Sequence, residues 1–194
     1  MKQKELLALA RNTNTSDLIR EASIIRDKGH GSLVTYSPKV FIPLTHLCRD
    51  VCHYCTFAKT PKRISSPYMS VEEVVDSAKR AEALGCKEAL FTLGERPELR
   101  YSTARKALSS MGYTTTLEYL KVASQAVIDN TGLLPHLNPG CMSLKEILEL
   151  RPVSASMGMM LESSSKRLCE IGGPHYGSPD KDPKKRLATL DSAG

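Results

Sequence analysis

The sequence predicts an α/β fold on a parallel sheet, and three observations carry that prediction. Short apolar runs alternate with amphipathic helical patterns four times along the chain, which reads as successive βαβ units with right-handed crossovers. Two of the helical patterns open with Ser-x-x-Glu boxes, Ser70/Glu73 and Ser143/Glu146, in which each side chain satisfies an amide that the first helical turn leaves unpaired. Finally, the residues best suited to chemistry fall in the segments that follow the apolar runs. In a parallel sheet those segments gather on one rim.

Taken in order, residues 16–28 form a helix with Ser16 as its cap, Leu18, Ile19, Ala22 and Ile25 on one face, and Gly29 as its stop. Residues 39–45 form a first strand in which Pro43 removes one ladder donor. A long loop over 46–69 carries three cysteines and a basic stretch. Residues 70–85 are helical, 89–93 form the second strand, and 103–110 and 117–130 are two further helices. Residues 133–137 form the third strand, 143–150 a short helix and 153–161 the fourth strand. A loop runs on through Pro179, and Asp182-Pro183 then opens a helix by cap and first-turn logic.

Composition narrows the class of protein. The chain has 194 residues, 41% hydrophobic and 25% charged, which is globular usage sufficient for one domain. With aromatics at 5% and no Trp, Leu, Val, Ile, Ala and Met build most of the core. The formal charge is +6, but acids and bases are interspersed and no Lys/Arg block resembles a nucleic-acid arm. No segment reaches the about 18–20 apolar residues of a membrane span, and the N-terminal stretch lacks the features of a secretory signal. The expectation is a cytoplasmic protein with neither nucleic acid nor membrane as partner.

The loop after the first strand contains Leu47-Cys48-Arg49-Asp50-Val51-Cys52-His53-Tyr54-Cys55. Three thiols at C-x3-C-x2-C spacing in a cytosolic chain read as metal ligands rather than disulfide partners. Spacing alone leaves two readings open. Three thiolates can hold a four-iron cluster with one iron left for an exchangeable ligand, with Arg49, His53, Lys59, Lys62 and Arg63 offsetting its charge. A zinc site completed by His46, His53 or Cys86, stabilising a binding module, is the other. Cys86, Cys141 and Cys169 lack cluster spacing and read as structural thiols.

The aromatic before the third cysteine, in C-x3-C-x-Tyr-C at the end of a first strand, resembles the radical S-adenosylmethionine (SAM) superfamily. That resemblance implies a partial (β/α) barrel, a [4Fe-4S] cluster on Cys48, Cys52 and Cys55, and SAM chelated to the open iron. Longer stretches, 34–45, 91–98, 131–140, 156–162 and 177–183, resemble within it the 7,8-didemethyl-8-hydroxy-5-deazariboflavin (FO) synthases. The implied reaction is radical cyclisation of a hydroxybenzyl-ribityl-uracil adduct with loss of ammonia. The neighbouring activity, joining tyrosine to ribityl-diaminouracil, is the alternative, and a companion radical SAM subunit or fused module is the implied partner.

By resemblance, Tyr54 packs beside the adenine, and Gly94 and Glu95 lie at the SAM ammonium, with an ion pair to Arg96 as the alternative for Glu95. Glu162 meets the ribose hydroxyls or the ammonium, and Arg167 pairs with the SAM carboxylate. His136 and Asn138 alternate onto one strand face and point toward a polar substrate. The resemblance divides the chain into a helical lead-in over 1–33 and an incomplete barrel over 34–194, truncated after its fourth strand-helix unit. The expected consequence is an open edge on the fourth strand carrying Met157, Met159 and Leu161, and with it association or poor solubility of the isolated chain.

Overall fold

The computed structural model describes residues 3–194, which divide between Tyr36 and Ser37 into two compact units. The first holds two helices, α1 (Gln3–Arg11) and α2 (Thr15–His30), neither of which has a buried residue. The α2 cap differs from the sequence expectation. Asn14, not Ser16, accepts the amide of Asp17 at 3.3 Å, and Gly31, at φ +61°, closes the helix instead of Gly29.

The second unit is a four-stranded, all-parallel sheet of order β1 (Lys39–Ile42), β2 (Glu88–Thr92), β3 (Leu134–Asn138) and β4 (Ser156–Met157). Between the strands run α3 (Val71–Ala83), α4 (Ser102–Ser110), α5 (Thr116–Asn130) and α6 (Leu144–Leu150), and α7 (Pro183–Ala193) follows β4. Both Ser/Glu boxes are formed at α3 and α6, and Asp182 caps α7 through the amide of Lys184 at 2.9 Å. A third box, Thr115 with Glu118, opens α5.

Strand alternation sorts the two faces of the sheet. Ile42, Phe91 and Leu137 form one register row and are fully buried with Val74, Ala78, Leu120, Ala123 and Val127. Each such large apolar side chain contributes about 1.5–3 kcal/mol by leaving water. Thr92, His136 and Asn138 alternate with those buried residues and are only half-buried, so they line the opposite, concave side. Helices on one face and side chains with polar groups on the other are what a partial barrel requires.

Two strands are shorter than expected, for reasons visible in the backbone. β1 stops at Ile42 because Pro43 has no N–H to give, and the amide of Leu44 turns back to the Ile42 carbonyl at 2.9 Å. β4 covers 156–157 rather than 153–161: residues 151–153 form a 3-10 turn, and β3 ends at Asn138 just before Pro139. The last ladder bond runs from Gly158 N to Leu137 O at 2.9 Å. Among the described residues no helix is long and apolar enough to cross a membrane.

Candidate functional site

The cysteine loop is pressed against the end of β2 by a glycine. A Cβ on Gly94 would lie 1.8 Å from the Leu47 carbonyl oxygen, so no other residue allows this approach. The close passage lets Gly94 N donate to Thr45 O (2.9 Å) and Arg49 N donate to Glu95 O (2.7 Å). It also brings Glu95 N to Cys48 Sγ at 3.2 Å. Cys48 is driven up to about 11 by burial. Ala58 N reaches Cys55 Sγ at 3.4 Å.

A second segment, leading into α7, braces the same loop from the other side. His53 N donates to Pro174 O (2.9 Å), Val51 N to Ser178 Oγ (3.0 Å) and Asp180 N to Asp50 Oδ1 (3.1 Å). Tyr54 Oη and His175 Nε2 are 2.9 Å apart, and Ser178 Oγ lies 3.5 Å from Cys52 Sγ. Asp50 and Asp180 are buried, and each keeps one carboxylate oxygen without a hydrogen bond. Arg49 at 3.5 Å and Lys185 at 3.2 Å supply charge to Asp180, while burial pushes the Asp50 carboxyl up.

Between these supports opens a cleft of about 190 Å³ bordered by Cys48, Cys52, Cys55, Tyr54, Gly94, Glu95, Asn138 and Glu162. Eight of the ten residues singled out from the sequence thus meet in one place. His136 does not border it; it lies one step down the same strand face with Nδ1 2.7 Å from Ser156 Oγ. Arg167 does not border it either. It sits exposed in the 3-10 turn Lys166–Cys169, whose cap, Ser165, fixes its backbone at the surface.

The cations that do reach the cleft are Lys181 and Arg186, both missed from sequence. Arg186, on the first turn of α7, is 3% exposed and puts Nη2 3.1 Å from Glu95 Oε2, with Nε donating to Asp180 O at 3.0 Å. The other Glu95 oxygen accepts the amide of Cys141 at 2.6 Å. Gly140, at φ +92°, makes room for that carboxylate, since a Cβ there would lie 2.2 Å from Glu95 Cδ. Burial raises the Glu95 carboxyl despite both partners. The alternative pairing with Arg96 is not formed: Arg96 turns away at φ +41° and binds Glu146 at 2.9 Å. Glu162 has φ +64° and pairs with Lys181 Nζ at 2.7 Å. Its burial acts upward, but the hydrogen bond and charge of Lys181 prevail and hold it below the usual range. The only sequence signal for Arg186 was the Asp182-Pro183 helix start; nothing marked where that helix would dock.

The donor set can be tested against the two metals left open by spacing. Of the zinc completions, His46 Nδ1 is 3.0 Å from Phe57 O, His53 is exposed and borders neither the cleft nor the cavity beside it, and Cys86 lies between α3 and β2, at the opposite end of the strands from the cysteine loop. Among the described residues no three His, Cys, Asp or Glu side chains converge on a single ion position. The three cysteines border both the cleft and a second cavity of about 200 Å³ that Lys59 and Arg100 also line. Open space beside three thiols suits a polyatomic cluster, which takes one thiolate per iron.

Comparison with known proteins agrees. The Radical SAM superfamily matches over residues 42–180. The chain is 51% identical to the FO synthase of Mycobacterium tuberculosis over 95% of its own length and 23% of that protein's. It is 48% identical to the 7,8-didemethyl-8-hydroxy-5-deazariboflavin synthase of Methanopyrus kandleri over 84% of this chain and 48% of that one. The chain therefore spans about a quarter to a half of the relatives' length. Coverage of 95% requires most of residues 1–33, so the similarity extends into the helical lead-in. Among solved structures, the FeFe-hydrogenase maturase HydG from Carboxydothermus hydrogenoformans superposes with TM-score 0.73 at 23% identity, over 96% of this chain and 40% of that one. Methylornithine synthase does so with TM-score 0.68 at 18% identity, over 99% of this chain and 52% of that one. Both support the fold. The cofactors of the matched family are a [4Fe-4S] cluster and SAM, and the three thiols beside an open cleft fit them.

Proposed function

The chain belongs to the radical SAM superfamily, and on that premise we propose that it forms the cluster- and SAM-binding barrel of a cytoplasmic FO synthase. In this reading residues 34–194 are the radical SAM unit and 1–33 a helical lead-in. The whole enzyme closes the deazaflavin ring of a hydroxybenzyl-ribityl-uracil adduct with loss of ammonia, in company with a second radical SAM subunit or fused module. When bound, the cluster supplies the electron that splits SAM into methionine and a deoxyadenosyl radical. Cys48, Cys52 and Cys55 are its ligands.

The protein side chains then have distinct tasks. Tyr54, whose hydroxyl is tied to His175, presents its ring to the cleft as a surface for the adenine. Glu162, kept ionised by Lys181, accepts from ribose hydroxyls or the ammonium. Gly94 and Glu95 border the methionine end, and Lys181 takes the carboxylate-pairing role that the resemblance gave to Arg167. Asn138 faces the cleft from β3 and orients the polar substrate, with His136 below it.

The observation that carries this reading is the identity of about half with proteins named for this product, combined with a cleft bordered by the expected residues. Supplying the adduct to the complete enzyme tests it. A fluorescent deazaflavin and one equivalent of ammonia are expected. Turnover only on tyrosine and ribityl-diaminouracil would assign the chain to the neighbouring activity instead.

A further inference from the structure

Each of the three clustered sulfurs receives at least one hydrogen bond, Cys48 taking a second from the backbone at Asp50, and the donors differ in kind. Cys48 is served by the backbone amide of Glu95 at 3.2 Å and Cys55 by the backbone amide of Ala58 at 3.4 Å. Cys52 is served by a side chain, the hydroxyl of Ser178, at 3.5 Å and 126 residues away in sequence. The direction of that last bond follows from counting protons. Ser178 Oγ already accepts the amide of Val51 at 3.0 Å, and a hydroxyl has one proton to give. A cysteine ligating iron is a thiolate and has none, so the Ser178 proton points to sulfur. Ser178 is 6% exposed, and little water competes for it.

We propose that Ser178 is a positioning and tuning residue of the redox centre, donating to the Cys52 ligand sulfur and raising the reduction potential of the cluster. Adding an electron increases negative charge on the sulfurs, so a donor binds the reduced state more strongly than the oxidised one. The amide donors are set by the fold. Ser178 is held by its own segment: its amide donates to His175 O at 2.9 Å, two residues before the Asp180 bond to Asp50. The segment leading into α7 thereby sets the electronics of the loop it braces.

The inference rests on Cys52 being a cluster ligand, and the test separates the two. In the anaerobically reconstituted chain, Ser178→Ala is expected to retain full iron and sulfide while its midpoint potential moves negative. At fixed poise the reduced-to-oxidised ratio falls roughly three- to tenfold, tenfold being about 59 mV for one electron. Ser178→Thr, which keeps the hydroxyl, returns toward the parent value. A fully loaded Ser178→Ala protein with unchanged potential, or an equal shift in both variants, would overturn the proposal. Independent of any variant, proton ENDOR of the reduced parent cluster should show a coupled proton lost immediately on transfer to D2O, as a hydroxyl exchanges faster than the structured amides. Its absence contradicts the proposal. Full iron content in Cys52→Ala would instead show that the ligand assignment itself is at fault.

Discussion

The two walls of the cleft are built differently. On the β1–β2 side, Cys48, Gly94 and Glu95 are held mainly by backbone: a glycine against a carbonyl, an amide on a sulfur, and a carboxylate that takes one backbone amide besides the Arg186 guanidinium. On the β4 side, two residues of strand are followed by a long irregular segment, and Glu162 and Lys181 hold each other across it. The first wall is rigid because backbone contacts leave it no alternative. The second depends on side chains that a ligand can rearrange. Damage to the first should therefore appear as lost folding and cluster loading, and damage to the second as altered ligand binding.

The largest effect is expected at Gly94. Ala there must displace the Leu47 carbonyl, and we expect Gly94→Ala to cost about 5 kcal/mol or more and to abolish iron loading, as read by denaturant unfolding and iron content. A stable, iron-loaded variant would mean that the close passage is not needed. Next comes Arg186→Leu, which strands Glu95 as a buried charge. A loss of about 3–5 kcal/mol is expected, and Glu95→Gln in the same chain should recover part of it. Independent, additive losses would show that the two do not form one unit.

This contrast also explains what could be read in advance. The first wall was legible because its constraints are local: C-x3-C-x2-C spacing, a strand running into Gly94-Glu95, and capping boxes that fix where α3 and α6 begin. The second was legible only where a local rule applied, as at the Asp182-Pro183 start of α7. Arg186 sits 91 residues from Glu95, and no periodicity links them. Arg167 lies outside the cleft for the same reason: a cation near the fourth strand is placed by the path of the loop, and a 3-10 turn carries it to the surface. β4 was over-read because an apolar run implies a strand only where a neighbour offers partners, and β3 ends before Pro139.

Smaller effects sharpen the comparison. Burial raises the folded-state carboxyl of Asp50 above its unfolded value. Its protonation thus favours the folded state as pH falls, and its ionisation costs stability once pH rises above that folded value. Asp50→Asn in the apo chain should raise stability at pH 8 by about 1 kcal/mol, a gain that shrinks on acidification, by urea midpoints at several pH values. A gain independent of pH would point to packing rather than charge. Glu162 runs the opposite way. Its folded value is lowered, so its contribution is complete above the unfolded carboxylate range and is lost as pH falls through the lower folded value. Glu162→Gln should lower stability at neutral pH by less than about 1 kcal/mol, a loss that fades on acidification, and weaken SAM binding several-fold by calorimetry, whereas Arg167→Ala should leave both unchanged. Loss of SAM affinity in Arg167→Ala would restore that residue to the site.

The central claim is that Cys48, Cys52 and Cys55 hold a four-iron cluster with one iron open toward the cleft that takes SAM. EPR of the anaerobically reconstituted and reduced chain, recorded with and without SAM, tests it most directly. The account predicts about four irons and four sulfides per chain and a signal whose g values shift when SAM is added. A colourless protein holding one zinc, or an iron-sulfur signal indifferent to SAM, would contradict it.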